Sequence, residues 1–306
     1  MFFPPALIAS ALFAAALAAP ARNIVLKKRD SVTAVSASML SSFAPFTQFA
    51  RAAYCASSKV QNWQCGEACD ALPGFQPTLT GGDGSSVQLF FVGYWPDQDT
   101  VVVSHEGTDP TKLEADLTDI NIDMTTLDPS LFPGVPDGVQ THEGFTDEHA
   151  QTAGNILNEV RNLMSQHGTN SVTLIGHSLG GALAELDSLF MRLNLPNATV
   201  KGVTYGTPRV GNDDFVAFFN AQVPDFTRVT NEHDLVPIVP GRFLGFQHPH
   251  GEVHLISPGN AVACSAGDDN DSDQCIVGAV GNVFDGSIDN HLGPYEGISL
   301  GRAACV

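Results

Sequence analysis

A serine that attacks a carbonyl needs a base to take its proton, a carboxylate to hold that base, and N–H groups to receive the charge that moves onto oxygen. The chain offers a candidate for each. Ser178 lies in Gly176-His177-Ser178-Leu179-Gly180, Asp234 in Asn231-Glu232-His233-Asp234, and His291 in Asp289-Asn290-His291-Leu292. The two glycines suit a turn so tight that a strand and a helix could not close on the serine if either carried a Cβ. The hydroxyl then stands beside a helix N-terminus, where N–H groups and the helix dipole favour negative charge. The N–H of Leu179 is the expected first oxyanion donor. The second is expected at Gly107-Thr108, after an earlier strand, with Gly107 free to turn the backbone inward.

The flanks decide which serine is meant. Val172, Leu174 and Ile175 form the short apolar run of a buried strand. Leu183, Leu186, Leu189, Phe190 and Leu193 then follow a helical period. A second match, Gly297-Ile298-Ser299-Leu300-Gly301, is followed by too few residues for a helix, so Ser299 reads as structural. The acid should end a later strand. Asp234 follows the strand Phe226–Thr230, whereas Asp225 precedes it and Asp213 and Asp214 sit where a helix should start. His291 lies in a late loop after the last strand, and His248-Pro249-His250 is its rival. His248, His250 and His254 read as packed or exposed histidines. Asp269, Asp271 and Asp273 alternate like a calcium loop, but Gln274 stands where such a loop needs Gly, so they read as a solvated acidic loop. No metal and no cofactor is expected.

Positioning these residues takes a sheet with helices on both faces. The pattern predicts a helix over Ser36–Ala53, strands Val87–Tyr94 and Thr100–Ser104 joined by Pro96-Asp97-Gln98-Asp99, and a helix over Thr146–Gln166. Beyond the nucleophile strand and helix come strand Val200–Tyr205, helix Asp213–Asn220, strand Phe226–Thr230 and a last strand near Val253–Ile256. Strands alternating with helices argue for a single α/β domain with a mostly parallel central sheet, of the α/β-hydrolase kind. Asp109–Gln140 is a long, acidic, proline-spotted insertion, the usual form of a lid or binding loop.

The start of the chain reads as processed. Ala6–Ala19 is an apolar stretch too short to span a membrane, and Ala16-Leu17-Ala18 fits a cleavage site. Residues 1–18 are therefore expected to be a signal peptide, 19–29 a propeptide ending at Lys28-Arg29, and 30–306 the domain. Removing the first 29 residues takes away four of 14 basic residues and none of 33 acidic ones, leaving a formal charge of −23. Such a surface repels nucleic acid and anionic membranes and suits a soluble enzyme acting on neutral substrates. Six cysteines imply three disulfides out of fifteen pairings. Cys65 and Cys69 are close enough for a local bridge, and Cys264 and Cys275 bracket a hydrophilic loop. Cys55 and Cys305 remain. Asn197 and Asn270 begin glycosylation sequons and are expected on surface loops.

Taken in order, Phe49-Ala50-Arg51-Ala52-Ala53-Tyr54-Cys55, Gly107-Thr108, His142-Glu143-Gly144-Phe145, the Ser178 segment, Tyr205-Gly206-Thr207-Pro208-Arg209-Val210-Gly211, the Asp234 segment and His291-Leu292 resemble the fungal class 3 lipases. That family also contains the type A feruloyl esterases. The resemblance implies a triad of Ser178, Asp234 and His291, oxyanion donors at Thr108 and Leu179, and the disulfides suggested above. It implies a neutral ester as partner, a lipid or a hydroxycinnamate ester, and for a lipase a lipid–water interface. Two departures stand out. Glu106 occupies a place where the family usually has Arg. The lid start, Asp109–Asp119, is acidic, with Leu113 and Leu117 as its apolar residues and no tryptophan, as in the feruloyl esterase branch. An acidic lid should make activation at an oil surface weak. Ile120, Ile122, Met124, Leu127, Leu131, Phe132 and Val135 follow, and turns at Phe132-Pro133-Gly134 and Val135-Pro136-Asp137-Gly138 are expected to present Leu131, Phe132 and Val135 near the site mouth, which favours a triacylglycerol lipase over a feruloyl esterase.

Overall fold

The computed structural model describes residues 31–109, 112–113, 122–265, 267–302 and 305. The expected signal peptide and propeptide lie outside these residues, as do Leu117, Asp119 and Ile120 of the lid.

Eleven strands are found among the described residues: β1 Val32–Ala34, β2 Gln76–Gly81, β3 Phe90–Trp95, β4 Thr100–His105, β5 Met124–Thr126, β6 Gln140–His142, β7 Ser171–His177, β8 Thr199–Tyr205, β9 Asp225–Asn231, β10 Glu252–Ser257 and β11 Asn260–Cys264. Nine form one sheet in the order β1-β11-β10-β9-β8-β7-β4-β3-β2, and β5 and β6 pair separately. The centre, β4, β7, β8, β9 and β10, is parallel. Both flanks are antiparallel.

Alternation along the central strands divides the core. Val101 and Val103 of β4, with Val172 and Leu174 of β7, pack under the helices Glu143–His167 and Leu179–Asn194. Val102, Ile175, Val203 and Tyr205 face the other way, against Phe49 and Ala50 of the helix Ala44–Ala52. Both faces are covered, so the central strands read as apolar runs. Toward β9 and β10 the first of these faces turns polar. Thr204, Arg228, Thr230, Glu252 and His254 are buried and meet in register across the three strands.

The expected N-terminal helix is two helices, Ala37–Ser42 and Ala44–Ala52, with Pro45 in the first turn of the second. Proline supplies no N–H there and cannot continue the preceding ladder. Strands β1, β2 and β11 were not expected. They are short or polar and take their form from their neighbours. The three disulfides join Cys55–Cys305, Cys65–Cys69 and Cys264–Cys275.

Two expectations fail on burial. Phe132 is 1% exposed and packs edge-on to Phe190 and beside His149, within the core under the Leu179–Asn194 helix. Leu127 is buried in that core, and Leu131 and Val135 pack against it, so this stretch supports the elbow helix instead of lining the site mouth. Asn270 is buried too. Its Nδ2 donates to the Ser265 carbonyl at 3.0 Å and its Oδ1 accepts from Ser272 N–H at 3.2 Å. Asn197 is exposed, as expected.

Candidate active site

Strand β7 runs into the helix Leu179–Asn194 through Ser178, whose backbone is held at φ 59° and ψ −130°. Both glycines prove sterically necessary. A Cβ on Gly176 would lie 1.9 Å from the Gly180 carbonyl oxygen, and a Cβ on Gly180 would lie 2.4 Å from that of His105. Ser178 N–H donates to the Tyr205 carbonyl at 2.9 Å, so β8 pins the strained residue. Ser299 has an exposed position between Gly297 and Gly301 and opens no helix.

Asp234 follows β9, at the carboxyl end of the parallel strands, where ligand sites of such sheets form. His291 ends the short helix Ile288–His291. The structure brings the two together: His291 Nδ1 donates to Asp234 Oδ2 at 2.9 Å and lies 3.1 Å from Oδ1. Oδ1 also accepts Val236 N–H at 2.8 Å. With the proton on Nδ1, Nε2 is the free lone pair, and this buried nitrogen makes no hydrogen bond. Ser178, Asp234 and His291 are at most 2% exposed. Gly206 makes room for the pair. It has φ +52°, and a Cβ there would sit 2.8 Å from both Asp234 Oδ2 and His291 Nδ1.

Three further residues hold His291 and were not singled out in the sequence. His177 Nε2 lies 2.8 Å from the His291 carbonyl oxygen, which can only accept. Nε2 therefore carries the proton, and His177 Nδ1 accepts from the Tyr54 hydroxyl at 2.5 Å. Tyr295 donates to the same His291 carbonyl at 3.0 Å. Burial, and then the nearby His291, hold the His177 imidazole well below the usual histidine range, so it stays neutral beside His291. Burial likewise pushes the Tyr54 phenol far up, so it stays a donor.

Gly107 follows β4 and touches Ser178. A Cβ on it would lie 2.8 Å from Ser178 Cβ and 2.3 Å from the Tyr54 hydroxyl oxygen. Thr108 comes next and is half-buried, and Leu179 opens the elbow helix. The loop after Asp234 is held from behind. Arg209 Nη1 donates to the carbonyls of Ile238 and Pro240, and its other nitrogens bind Asp268. His248 Nε2 donates to the Pro237 carbonyl at 2.8 Å, so this rival for the base is a structural anchor. His250 bonds Asn220, and His254 bonds Thr230.

A cavity of about 570 Å³ opens between the loop that follows Asp234 and the segment that precedes His291. Its walls include Ile122, Ile238, Val239, Leu244, Val280 and Val283. Phe243, among its lining residues, is 90% exposed, and Phe284, which follows the lining residue Val283 in the chain, is 93% exposed. Among the described residues one group has metal-ligand spacing, Glu252 with Cys264 and Cys275, but the two sulfurs are joined to each other and offer no thiolate.

Residues 102–244 match the family described as Lipase (class 3). A secreted mono- and diacylglycerol lipase of Malassezia globosa is 32% identical over 234 residues, covering 74% of this chain and 75% of that protein. Lipase II from Rhizopus niveus superposes with a TM-score of 0.77 at 26% identity, covering 90% of this chain and 100% of that one. Rhizomucor miehei triacylglyceride lipase, at 22% identity, shares the fold with a TM-score of 0.77 over 89% of this chain and 99% of its own. The elbow and the Asp–His pair described above thus sit in a chain similar over most of its length to lipases of several fungi, and the protein belongs to the class 3 lipase family, carboxylic-ester hydrolases of the triacylglycerol-lipase type.

Proposed function

We propose that the protein is a secreted lipase that hydrolyses acylglycerol esters through Ser178, His291 and Asp234. The observation that carries this reading is the Nδ1-bonded, Nε2-free His291 in a chain whose Ser178 is held in a strained strand–helix turn. His291 Nε2 takes the hydroxyl proton as Ser178 Oγ attacks the ester carbonyl. The charge passes to the carbonyl oxygen, which the N–H groups of Leu179 and Thr108 receive at the helix N-terminus. His291 then returns the proton to the leaving alcohol, the acyl-enzyme forms, and a water activated by the same nitrogen resolves it. Asp234 keeps the imidazole in the required tautomer and stabilises its charged form. Gly206 and the hydrogen bonds to the His291 carbonyl fix the ring.

The apolar cavity behind the loop that follows Asp234 is of a size and lining that suit an acyl chain, and the two exposed phenylalanines support contact with a lipid surface. This wall replaces the one expected from Leu131, Phe132 and Val135. Secretion is supported by the names of the curated relatives, by three disulfides and by the apolar leader.

A hydrolysis panel tests the reading: monoolein, diolein, triolein, p-nitrophenyl butyrate and methyl ferulate, with wild type and Ser178→Ala. Wild type should release oleate, and Ser178→Ala should be inactive yet fold with an unchanged circular dichroism spectrum. Equal activity in the two proteins would refute the nucleophile. Turnover of methyl ferulate with none of the oleoyl glycerides would replace the lipase reading by a feruloyl esterase.

A further inference from the structure

The loop carrying the expected Thr108 donor is held from the far end of the chain. Glu106 follows β4 directly, and its side chain is wholly buried. Its N–H donates to the Leu89 carbonyl at 2.7 Å, and its Oε2 accepts Leu89 N–H at 3.1 Å. Its main chain presses on the elbow, because a Cβ on Gly180 would meet the Glu106 carbonyl oxygen at 2.5 Å. Its Oε1 accepts from Arg302 Nε at 3.0 Å. The same guanidinium reaches Asp109 Oδ2 through Nη1 at 3.1 Å and the Gly84 carbonyl through Nη2 at 3.1 Å. Asp109 is the residue at which the lid segment begins. Arg302 belongs to the run that follows His291, in which Leu300 N–H donates to the Leu292 carbonyl and Cys305 is bridged to Cys55.

We propose that Arg302 is a positioning residue for the oxyanion loop: by bridging Glu106 and Asp109 it fixes Gly107 and Thr108, which lie between them, against Ser178. The role rests on the serine-hydrolase reading above. Both ends of a four-residue loop are gripped by one planar, rigid fork, which a lysine's single ammonium cannot reproduce. Gly107 already touches Ser178 and Tyr54, so a loop released at its ends would move the donor relative to the nucleophile. The cation also faces a carboxylate that burial disfavours in its charged form. Arg302 itself is 43% exposed, and a bridge of that exposure acting through stability alone would leave turnover untouched.

The test compares wild type, Arg302→Gln, Arg302→Lys and Asp109→Asn on p-nitrophenyl butyrate below its solubility limit, and follows fluorophosphonate labelling of Ser178. Arg302→Gln should lower kcat by about 10- to 100-fold with KM within roughly threefold of wild type. The labelling rate should fall by the same factor, because the phosphonyl oxygen uses the same donors. Arg302→Lys and Asp109→Asn should fall in between. Melting temperatures establish that each variant is folded at the assay temperature. If Arg302→Gln is not folded, the other two carry the test. Wild-type kcat and labelling rates in Arg302→Lys and Asp109→Asn would overturn the proposal, as would a rise in KM at constant kcat. Those results come with an active, labelled wild type. A wild type that neither turns over ester nor takes the label would instead remove the serine-hydrolase reading.

Discussion

Replacing Glu185 by Gln should stabilise the protein increasingly as pH rises. Glu185 stands about two turns into the elbow helix, fully buried, with neither carboxylate oxygen in a hydrogen bond. Nη1 and Nη2 of Arg228 are also buried without hydrogen bonds. Burial pushes the Glu185 carboxyl from its ordinary 4.5 up to about 8, against the weaker pull of Arg228, with Asp268 adding to the rise. The folded state therefore keeps this proton between pH 4.5 and 8 while the unfolded chain loses it. Stability tied to the group is full below 4.5 and is lost as pH rises toward 8. Integrated from pH 5, the loss is about 2.5 kcal/mol at pH 7 and about 4 kcal/mol at pH 9. His177, His248 and His254, whose buried rings are held below the usual histidine range, lose stability as pH falls below about 6.5 in both proteins, so they cancel in the difference. Urea unfolding of wild type and Glu185→Gln at five pH values from 5 to 9 measures that difference. The variant should gain by roughly these amounts relative to wild type. A difference constant with pH, or a variant less stable than wild type at pH 8, would mean that Glu185 is an ionised partner of Arg228, and the reasoning fails.

Gly206→Ala should cost about 100-fold or more in kcat while leaving the fold intact, since the new methyl would part Asp234 from His291; near-normal turnover of p-nitrophenyl butyrate would count against the role given to Gly206. Phe284→Ser should slow hydrolysis of a triolein emulsion by roughly tenfold, about what losing one large apolar side chain from an oil surface gives, with little change on the soluble ester. An unchanged emulsion rate would remove Phe284 from the lipid contact. Asn197→Gln should abolish any shift in gel mobility on glycosidase treatment of protein from a eukaryotic host, whereas Asn270→Gln should leave that shift intact. A shift that survives Asn197→Gln would contradict the enclosure of Asn270.

The features that could be read from the sequence are those set by local sterics. Gly176 and Gly180 are required by a turn that two successive elements enforce, so strand, serine and helix could be read within a dozen residues. The pairing of Asp234 with His291 could be read because a polar turn closes a clear apolar strand at Asp234 and His291 stands in a late segment after the strands. Phe132 misled for a related reason. Its proline and glycine neighbours do make turns, but whether a turn's aromatic faces solvent or core depends on what lies beneath, here Phe190 and His149 from two distant helices. Asn270 misled in the same way. Its acidic neighbours suggest solvent, while its own amide is spent on Ser265 and Ser272. The edge strands β1 and β2 carry no strong apolar pattern and are defined by their partners.

The grip on His291 belongs to this second class, and it explains why one residue of the serine motif carries more than its spacing implies. The histidine at 177 looks like a free choice between two required glycines. In the folded chain its ring lies 4.3 Å from that of His291, centroid to centroid, with one nitrogen turned to the His291 carbonyl and the other to Tyr54. Tyr54 comes from the N-terminal helical region and Tyr295 from the tail, so His291 is held by three segments that are remote in the chain. A charged imidazole at position 177 could not accept from Tyr54 and would repel the cation that the proposed mechanism forms at His291. Burial removes that form. Burial at the elbow therefore sets the protonation state of the residue next to the strained serine.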